Sequence, residues 1–414
     1  MRGARFEVST SFVPGRARNR APPLVEEMTR LFVPPSTSRR TRSRVVMVSA
    51  LAVTAIQGLA PLQAQQSSGG TSTRPPRSTG AVVMDSSRAR TLYVSNRPED
   101  HPIADFDDQI RRKARTDSIY RAHARGSYDF QKIRYRSRAD GMEIPAYVFQ
   151  PLQRRGARGH AALIWVHGGV HGDWGTGMMP FVKEAVQRGY VIVAPDYRGS
   201  TGYGPEHYFA IDYGGKEVDD VVSAYDYLTQ NLPHVDPDRV GIMGWSHGGF
   251  ITAHSLFRDQ HPFKAGAAIV PVTNLLYRLS RKGPGYQRSF STQQGIQGLP
   301  FEKPEEYIKR SPLFHVDKLR VPILVHVATN DTDVNFDEDV QLVYALRSQK
   351  PDLSETKVYV DPAPWGSSVG HGFSRRVDPQ TLQRVDSPEQ IDSWNRTWVF
   401  FEWILRPYED RSKR

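Results

Sequence analysis

The pentapeptide at residues 244–248, Gly-Trp-Ser-His-Gly, constrains the fold more than any other stretch of the chain. It has the form G-x-S-x-G, follows an apolar, strand-like run at 240–243 and precedes a helical stretch. A serine on a tight strand-to-helix turn needs glycine two positions before and after it, because strand and helix nearly touch there. The pattern predicts a nucleophile elbow that lifts the Ser246 hydroxyl clear of a sheet. An ordinary helix N-cap serine is the alternative.

The basic excess of the chain lies near its amino terminus. The formal net charge is +11, yet residues 1–64 hold ten arginines against three acidic residues. The remaining residues hold 45 basic and 41 acidic side chains. The part expected to fold is therefore almost balanced, and no basic face for binding nucleic acid is predicted.

Residues 1–64 are expected to be a targeting region. An arginine-rich stretch at 39–44 precedes an apolar run at 45–60, and Ala64 offers a small residue for cleavage. This is typical of a secretory signal peptide, for which Met28 is an alternative start. The apolar run is shorter than the roughly 20 residues that span a bilayer, so no stable membrane span is expected after cleavage. We expect an exported protein, periplasmic or extracellular.

Downstream, the pattern predicts three further regions. Residues 65–100 are rich in small and polar residues and predict a disordered linker, and 101–130 predict a helical extension. From 131 to 410, strands and helices alternate, which predicts an α/β protein with a mostly parallel, doubly wound sheet and helices on both faces. The stretch at 274–312 breaks the alternation and predicts an insertion over the carboxyl edge of the sheet. The strand-like segments are 132–136, 145–150, 161–167, 190–195, 239–244, 265–270, 322–327 and 356–360.

Partners for Ser246 follow in the order acid, then histidine. Asp331 comes directly after the strand-like segment 322–327, and His371 lies between glycines on the loop after the next strand. In α/β-hydrolases both positions face the nucleophile at the same edge of the sheet. The proposed roles are Ser246 as nucleophile, His371 as general base and Asp331 as the group that orients the imidazole. Asp333 is the alternative acid, and His371 could also be an ordinary loop histidine.

An oxyanion hole is predicted at two backbone positions. Close backbone approach is allowed at the glycines after His167, and His247 is the first residue after the nucleophile, so its N–H is the second donor. His167 and His171 could instead be read as metal ligands, but they lie in a glycine-rich loop without a carboxylate partner. The chain has no cysteine, which excludes disulfides and thiolate metal sites. No metal or other cofactor is expected.

Residues from about 132 to 407 resemble the catalytic domain of the prolyl oligopeptidase family of serine peptidases, in particular its acylaminoacyl-peptidase-like branch. The motifs that carry the resemblance are 167–169 (HGG), 196–204 (DYRGSTGYG), 214–220 (GGKEVDD), 236–240 (DPDRV), 244–249 (GWSHGG) and 370–373 (GHGF). The resemblance implies an α/β-hydrolase fold, the triad Ser246, Asp331 and His371, and a place for His167 beside the oxyanion hole. Enzymes of this family usually carry an N-terminal β-propeller, for which residues 65–130 are too few. We therefore expect an active site without a propeller.

The resulting hypothesis is a serine peptidase that acts on small peptides or acyl-amino acids through an acyl-enzyme. The apolar residues Val272, Leu275 and Val334 are expected to line its substrate pocket together with the 274–312 insertion. A carboxylesterase of the same fold and a non-catalytic binding module are the rival hypotheses. The sequence leaves the oligomeric state and the side-chain preference open.

Overall fold

A computed structural model describes residues 104–366 and 369–413. The predicted targeting region at 1–64 and the predicted linker at 65–100 lie outside the described residues. The helical extension predicted at 101–130 begins just before the first described residue, and most of it forms one long helix, Phe106–Ala124.

The eight strands of the described residues form one sheet. They are β1 (Asp129–Arg136), β2 (Glu143–Gln150), β3 (His160–Val166), β4 (Val191–Pro195), β5 (Val235–Trp245), β6 (Gly266–Ile269), β7 (Ile323–Ala328) and β8 (Ser354–Tyr359). Their order is β1-β2-β4-β3-β5-β6-β7-β8. Strand β2 is antiparallel to both neighbours, and all other pairs are parallel. This is an α/β-hydrolase fold, and each strand-like segment of the sequence overlaps one strand.

Helices cover both faces of this sheet. They are α1 (Phe106–Ala124), α2 (Met179–Gln187), α3 (Pro205–Phe209), α4 (Lys216–Asn231), α5 (His247–Leu256), α6 (Leu275–Arg281), α7 (Pro284–Ser291), α8 (Pro304–Lys309), α9 (Phe336–Gln349) and α10 (Pro388–Leu405). Successive residues of β3 illustrate the layering. Ile164 belongs to an apolar cluster that includes residues of α4, α5 and α9, whereas Trp165 belongs to a second cluster that includes residues of α1, α2 and α10. Burial on both faces explains why the central strands are continuous apolar runs.

The predicted insertion at 274–312 contains α6, α7 and α8. Its far end is fixed to the rest of the domain by Arg310, whose guanidinium donates to Asp212 at 2.6 Å and to the carbonyl oxygen of Tyr213 at 2.7 Å. The boundaries drawn from the sequence for this insertion remain predictions.

Strands β3 and β5 and helix α5 converge on two glycines. A Cβ atom on Gly244 would lie 2.4 Å from the carbonyl carbon of Gly248, and one on Gly248 would lie 2.4 Å from the carbonyl oxygen of Val166. Backbone atoms cannot swing away as a flexible side chain can, so both positions require glycine. The reason given by the sequence pattern, close contact between helix and strand, is the one found in the structure.

Gly244→Ala is therefore expected to lower the free energy of unfolding by about 1–3 kcal/mol or more, because the added methyl group overlaps fixed backbone. Gly285→Ala is the matched control, since a Cβ atom there meets nothing within 4 Å and alanine is favoured in a helix such as α7. Urea denaturation of both variants provides the comparison. Equal stability of Gly244→Ala and wild type would contradict this account of the elbow.

Candidate active site

Ser246 occupies the turn between β5 and α5 in a strained backbone conformation. Its φ of 56° and ψ of −120° lie in a region that non-glycine residues rarely adopt. Its N–H donates to the carbonyl oxygen of Ile269 at 3.0 Å, which fixes the turn against the end of β6. Strain of this kind persists only where the surrounding structure imposes it, and it is common at functional sites. The N-cap alternative finds no support here, since the Ser246 side chain makes no capping hydrogen bond.

Asp331 and His371 form a buried pair on neighbouring loops. His371 Nδ1 lies 2.7 Å from Asp331 Oδ2. The other carboxylate oxygen, Oδ1, accepts the N–H groups of Asp333 at 2.8 Å and Val334 at 3.0 Å. These bonds fix the carboxylate, and the carboxylate in turn favours the imidazole tautomer with its proton on Nδ1. Nε2 is then left free to accept a proton.

The two loops are in direct contact. The N–H of Thr332 donates to the carbonyl oxygen of Val369 at 3.2 Å. Gly370 has a φ of 73°, and a Cβ atom there would lie 2.4 Å from Asn330 Oδ1 and 2.7 Å from the N of Asp331. The glycine before His371 therefore allows the histidine loop to lie flat on the loop that carries Asp331.

Ser374 anchors the histidine loop to the elbow, a role that the sequence analysis missed. Its hydroxyl accepts from Trp245 Nε1 at 2.7 Å, and its carbonyl oxygen accepts from Trp394 Nε1 at 2.8 Å. Trp245 directly precedes the proposed nucleophile, so this hydrogen bond joins the loop of His371 to the turn of Ser246. A serine three residues after a histidine gives no recognisable sequence signal for such a role.

Asp333, the alternative acid, lies on the other side of the imidazole. Its Oδ2 is 3.4 Å from His371 Nε2, and its Oδ1 accepts from Lys282 Nζ at 2.8 Å. Burial favours the protonated acid, but the neighbouring His371 and Lys282 side chains hold the pKa of Asp333 below its usual value. Among the hydrogen bonds of the described residues, none joins the Ser246 hydroxyl to the His371 ring. Asp333 thus faces Nε2, the nitrogen that would have to accept the proton of Ser246.

The loop after β3 lies directly beside the nucleophile. A Cβ atom on Gly168 would lie 3.3 Å from Ser246 Cβ, so the backbone approaches as closely as the sequence analysis expected. The His167 ring is fixed by a 2.9 Å contact between its Nε2 and Ser200 Oγ and by stacking on Tyr197 at 4.3 Å. Burial lowers the pKa of His167, which favours a neutral ring.

The His247 side chain points away from the site and into the core. Both ring nitrogens are buried without a hydrogen-bond partner, and burial lowers the pKa of His247 well below its usual value. Its Nε2 is 3.7 Å from the carboxyl group of Glu217, whose pKa is raised by burial to about 8. At neutral pH both groups are therefore mainly uncharged. Any contribution of His247 to an oxyanion hole comes from its backbone N–H at the start of α5.

A buried acid supports the loop after β3. Asp196, at the end of β4, accepts from the N–H of Trp174 at 2.6 Å and pairs with Lys113 Nζ at 2.6 Å. Lys113 also donates to Asp173 at 3.0 Å. Lys113 belongs to α1, so the helical extension contributes a buried charge to the scaffold of the site. The sequence alone gives no signal for this role of Lys113, because only the fold brings α1 against this loop.

The predicted pocket residues need correction. Val272, Leu275 and Val334 expose 1% or less of their surface and belong to the apolar core beside α5 and α9. They therefore do not line an open pocket. An apolar residue after a strand is equally suited to a pocket wall and to a core position, and the sequence alone cannot separate the two.

The structure was also searched for metal-binding clusters and for membrane-spanning helices. Among residues 104–366 and 369–413, no group of three or more histidine or acidic side chains is placed to hold a metal ion. Within the same residues, no helix combines the length and apolar character needed to cross a membrane.

Comparison with known proteins finds a family match and several relatives. Residues 179–378 match the prolyl oligopeptidase family. An uncharacterized peptidase, YuxL of Bacillus subtilis strain 168, is 30% identical over 266 residues, which cover 64% of this chain and 38% of that protein. The human acylamino-acid-releasing enzyme is 26% identical over 219 residues, which cover 50% of this chain and 29% of that enzyme.

Solved structures share the fold. The acylaminoacyl peptidase of Pyrococcus horikoshii superposes with a TM-score of 0.56 at 22% identity, and the match covers 71% of this chain and 44% of that one. The chain thus spans less than half the length of these relatives.

Substituting the two acids separately tests their assignment. Asp331→Asn is expected to slow hydrolysis of p-nitrophenyl acetate by roughly 10³–10⁴-fold, because an amide no longer fixes the imidazole tautomer. Asp333→Asn is the matched control, and it should keep or raise the rate because it removes a competitor for His371 Nε2. An unchanged rate in Asp331→Asn, or an equal loss in both variants, would contradict the assignment.

Proposed function

We propose that this chain is a serine peptidase that hydrolyses peptide or acyl-amino-acid bonds. One observation carries the proposal: a strained Ser246 on the turn after β5 occurs together with a buried Asp331–His371 pair, in a chain whose residues 179–378 match the prolyl oligopeptidase family. The elbow supplies the attacking hydroxyl, and the pair supplies a base of fixed orientation.

The proposed reaction has two stages. Ser246 Oγ attacks the carbonyl carbon of the scissile bond while His371 Nε2 takes its proton, and the same proton then goes to the leaving amine as the C–N bond breaks. Water next attacks the acyl-enzyme, with His371 again as base, and releases the acid and the free serine. Asp331 holds the imidazole through Nδ1 and stabilises the imidazolium.

The negative charge on the carbonyl oxygen needs donors during both stages. Two are proposed: the backbone N–H of His247 at the start of α5, and a backbone N–H of the loop that begins at His167. The contact between Gly168 and Ser246 supports this placement, because it brings that loop within reach of the reacting carbonyl group. Each such donor typically contributes about 3–4 kcal/mol to the stability of the transition state.

The substrate class rests on similarity and is part of the proposal. The relatives include acylamino-acid-releasing enzymes and a dipeptidyl aminopeptidase of Pseudoxanthomonas mexicana, of which the matched region covers about a third. Small peptides and acyl-amino acids are therefore the proposed substrates. Export from the cytoplasm is proposed as well, on the strength of the arginine-rich and apolar runs within residues 39–60.

Amide hydrolysis separates the peptidase from an esterase. Wild type is expected to cleave N-acetyl-alanyl or dipeptidyl p-nitroanilides as well as p-nitrophenyl butyrate, and Ser246→Ala should lose roughly 10⁴–10⁶-fold on both. Ser200→Ala is a control that removes a buried hydroxyl near the site without touching the proposed nucleophile. Activity on the ester alone would contradict the peptidase proposal and favour a carboxylesterase.

A further inference from the structure

Arg375 is a half-buried cation that pairs with no other residue of the described part of the chain. Its Nε is inaccessible and makes no hydrogen bond, and no hydrogen bond or ion pair joins its guanidinium to any of residues 104–366 and 369–413. The fully buried arginines of the same domain differ, because each contacts at least one carboxylate. These are Arg198 with Asp140 and Asp220, Arg239 with Asp236, Arg278 with Glu338, and Arg310 with Asp212 and Glu306. Arg375 differs from them in two ways: it is only partly withdrawn from water, and it contacts no carboxylate of the described residues, so it is free to bind an anion.

The guanidinium lies beside the proposed nucleophile. The Cβ position of Gly168 is 3.5 Å from Arg375 Nη1 and 3.3 Å from Ser246 Cβ. The Cβ position of Gly168 is therefore in van der Waals contact both with the guanidinium and with the side chain of the proposed nucleophile. Arg375 reaches this place because it follows His371 by four residues on the loop that Ser374 anchors.

The nearest acids are already engaged. Asp331 is bound by His371 and by two backbone N–H groups, and Asp333 is paired with Lys282 at 2.8 Å. Burial lowers the pKa of Arg375 to about 10, against the opposing effect of these two carboxylates, so the guanidinium remains charged at neutral pH. Its forked donors are available for an anion that the substrate brings.

We infer that Arg375 binds a carboxylate of the substrate close to the scissile bond. The inference rests on the proposed peptidase function. The α-carboxylate carbon of the residue after the scissile bond is no more than about 4 Å from the scissile carbonyl carbon, given standard backbone bond lengths. A guanidinium next to Ser246 suits that distance, and it matches the planar geometry of a carboxylate with two parallel hydrogen bonds. The favoured leaving group is then an amino acid with a free carboxylate.

Three acyl dipeptides with related scissile bonds test this. They are N-acetyl-Ala-Ala, its C-terminal amide, and N-acetyl-Ala-Asp amide, in which only the side chain is anionic. Wild type is expected to cleave the free acid with a kcat/KM roughly 10- to 100-fold above that of its amide, the gain typical of a charged hydrogen bond. Arg375→Gln should reduce this ratio to about one and leave cleavage of N-acetyl-Ala-Ala amide nearly unchanged. A preference for the aspartyl peptide would assign the carboxylate to a side chain instead of the chain terminus.

Two further variants serve as controls. Arg376→Gln removes the neighbouring guanidinium, which rests on the Trp365 ring at 5.1 Å, and should keep the wild-type ratio. Arg375→Lys keeps the positive charge but lacks the two parallel donors of a guanidinium, so it should keep part of the preference for the free acid over its amide. Equal cleavage of all three peptides by wild type overturns the inference and leaves the peptidase proposal intact. An equal loss on all three in Arg375→Gln overturns it too, in favour of a general role in the site. If wild type cleaves no amide bond at all, both proposals fail.

Discussion

The structure of the site depends on the close approach of backbone to backbone beneath Ser246. Strand β3 ends at Val166 against Gly248, and Gly244 lies against the same residue from the other side. This packing forces the serine into its left-handed conformation and places the following loop, at Gly168, next to the serine Cβ. A single contact region thus positions both the proposed nucleophile and the loop proposed to form the oxyanion hole, so a change there would displace both.

Charge pairing fixes the elements around this centre. Asp331 orients His371, while Asp196 joins the loop after β3 to Lys113 of α1. These acids lie at or just past the carboxyl ends of parallel strands, where side chains from several strands meet. Arg375 is the exception, since its charge faces the same region without a partner. We infer from this contrast that the substrate supplies the carboxylate that pairs with Arg375.

The sequence was sufficient for the sheet, the elbow and the pairing of Asp331 with His371, because each depends on local signals: apolar runs, flanking glycines and positions just past strand ends. It misplaced Val272, Leu275 and Val334, because apolar character does not distinguish a pocket wall from the core. It also missed Lys113, Ser374 and Arg375. Their roles arise from contacts between segments far apart in the chain, for which a single sequence carries no signal.

The central claim is that Ser246 is an activated nucleophile, and covalent labelling tests it most directly. A fluorophosphonate probe reacts when a serine oxygen attacks phosphorus and fluoride leaves, which requires the base and the oxyanion donors to be in place but no knowledge of the natural substrate. Mass spectrometry should find one adduct on wild type, located on the peptide that contains Ser246, and none on Ser246→Ala. Folded wild type that remains unlabelled, or an adduct that persists in Ser246→Ala, would contradict the account.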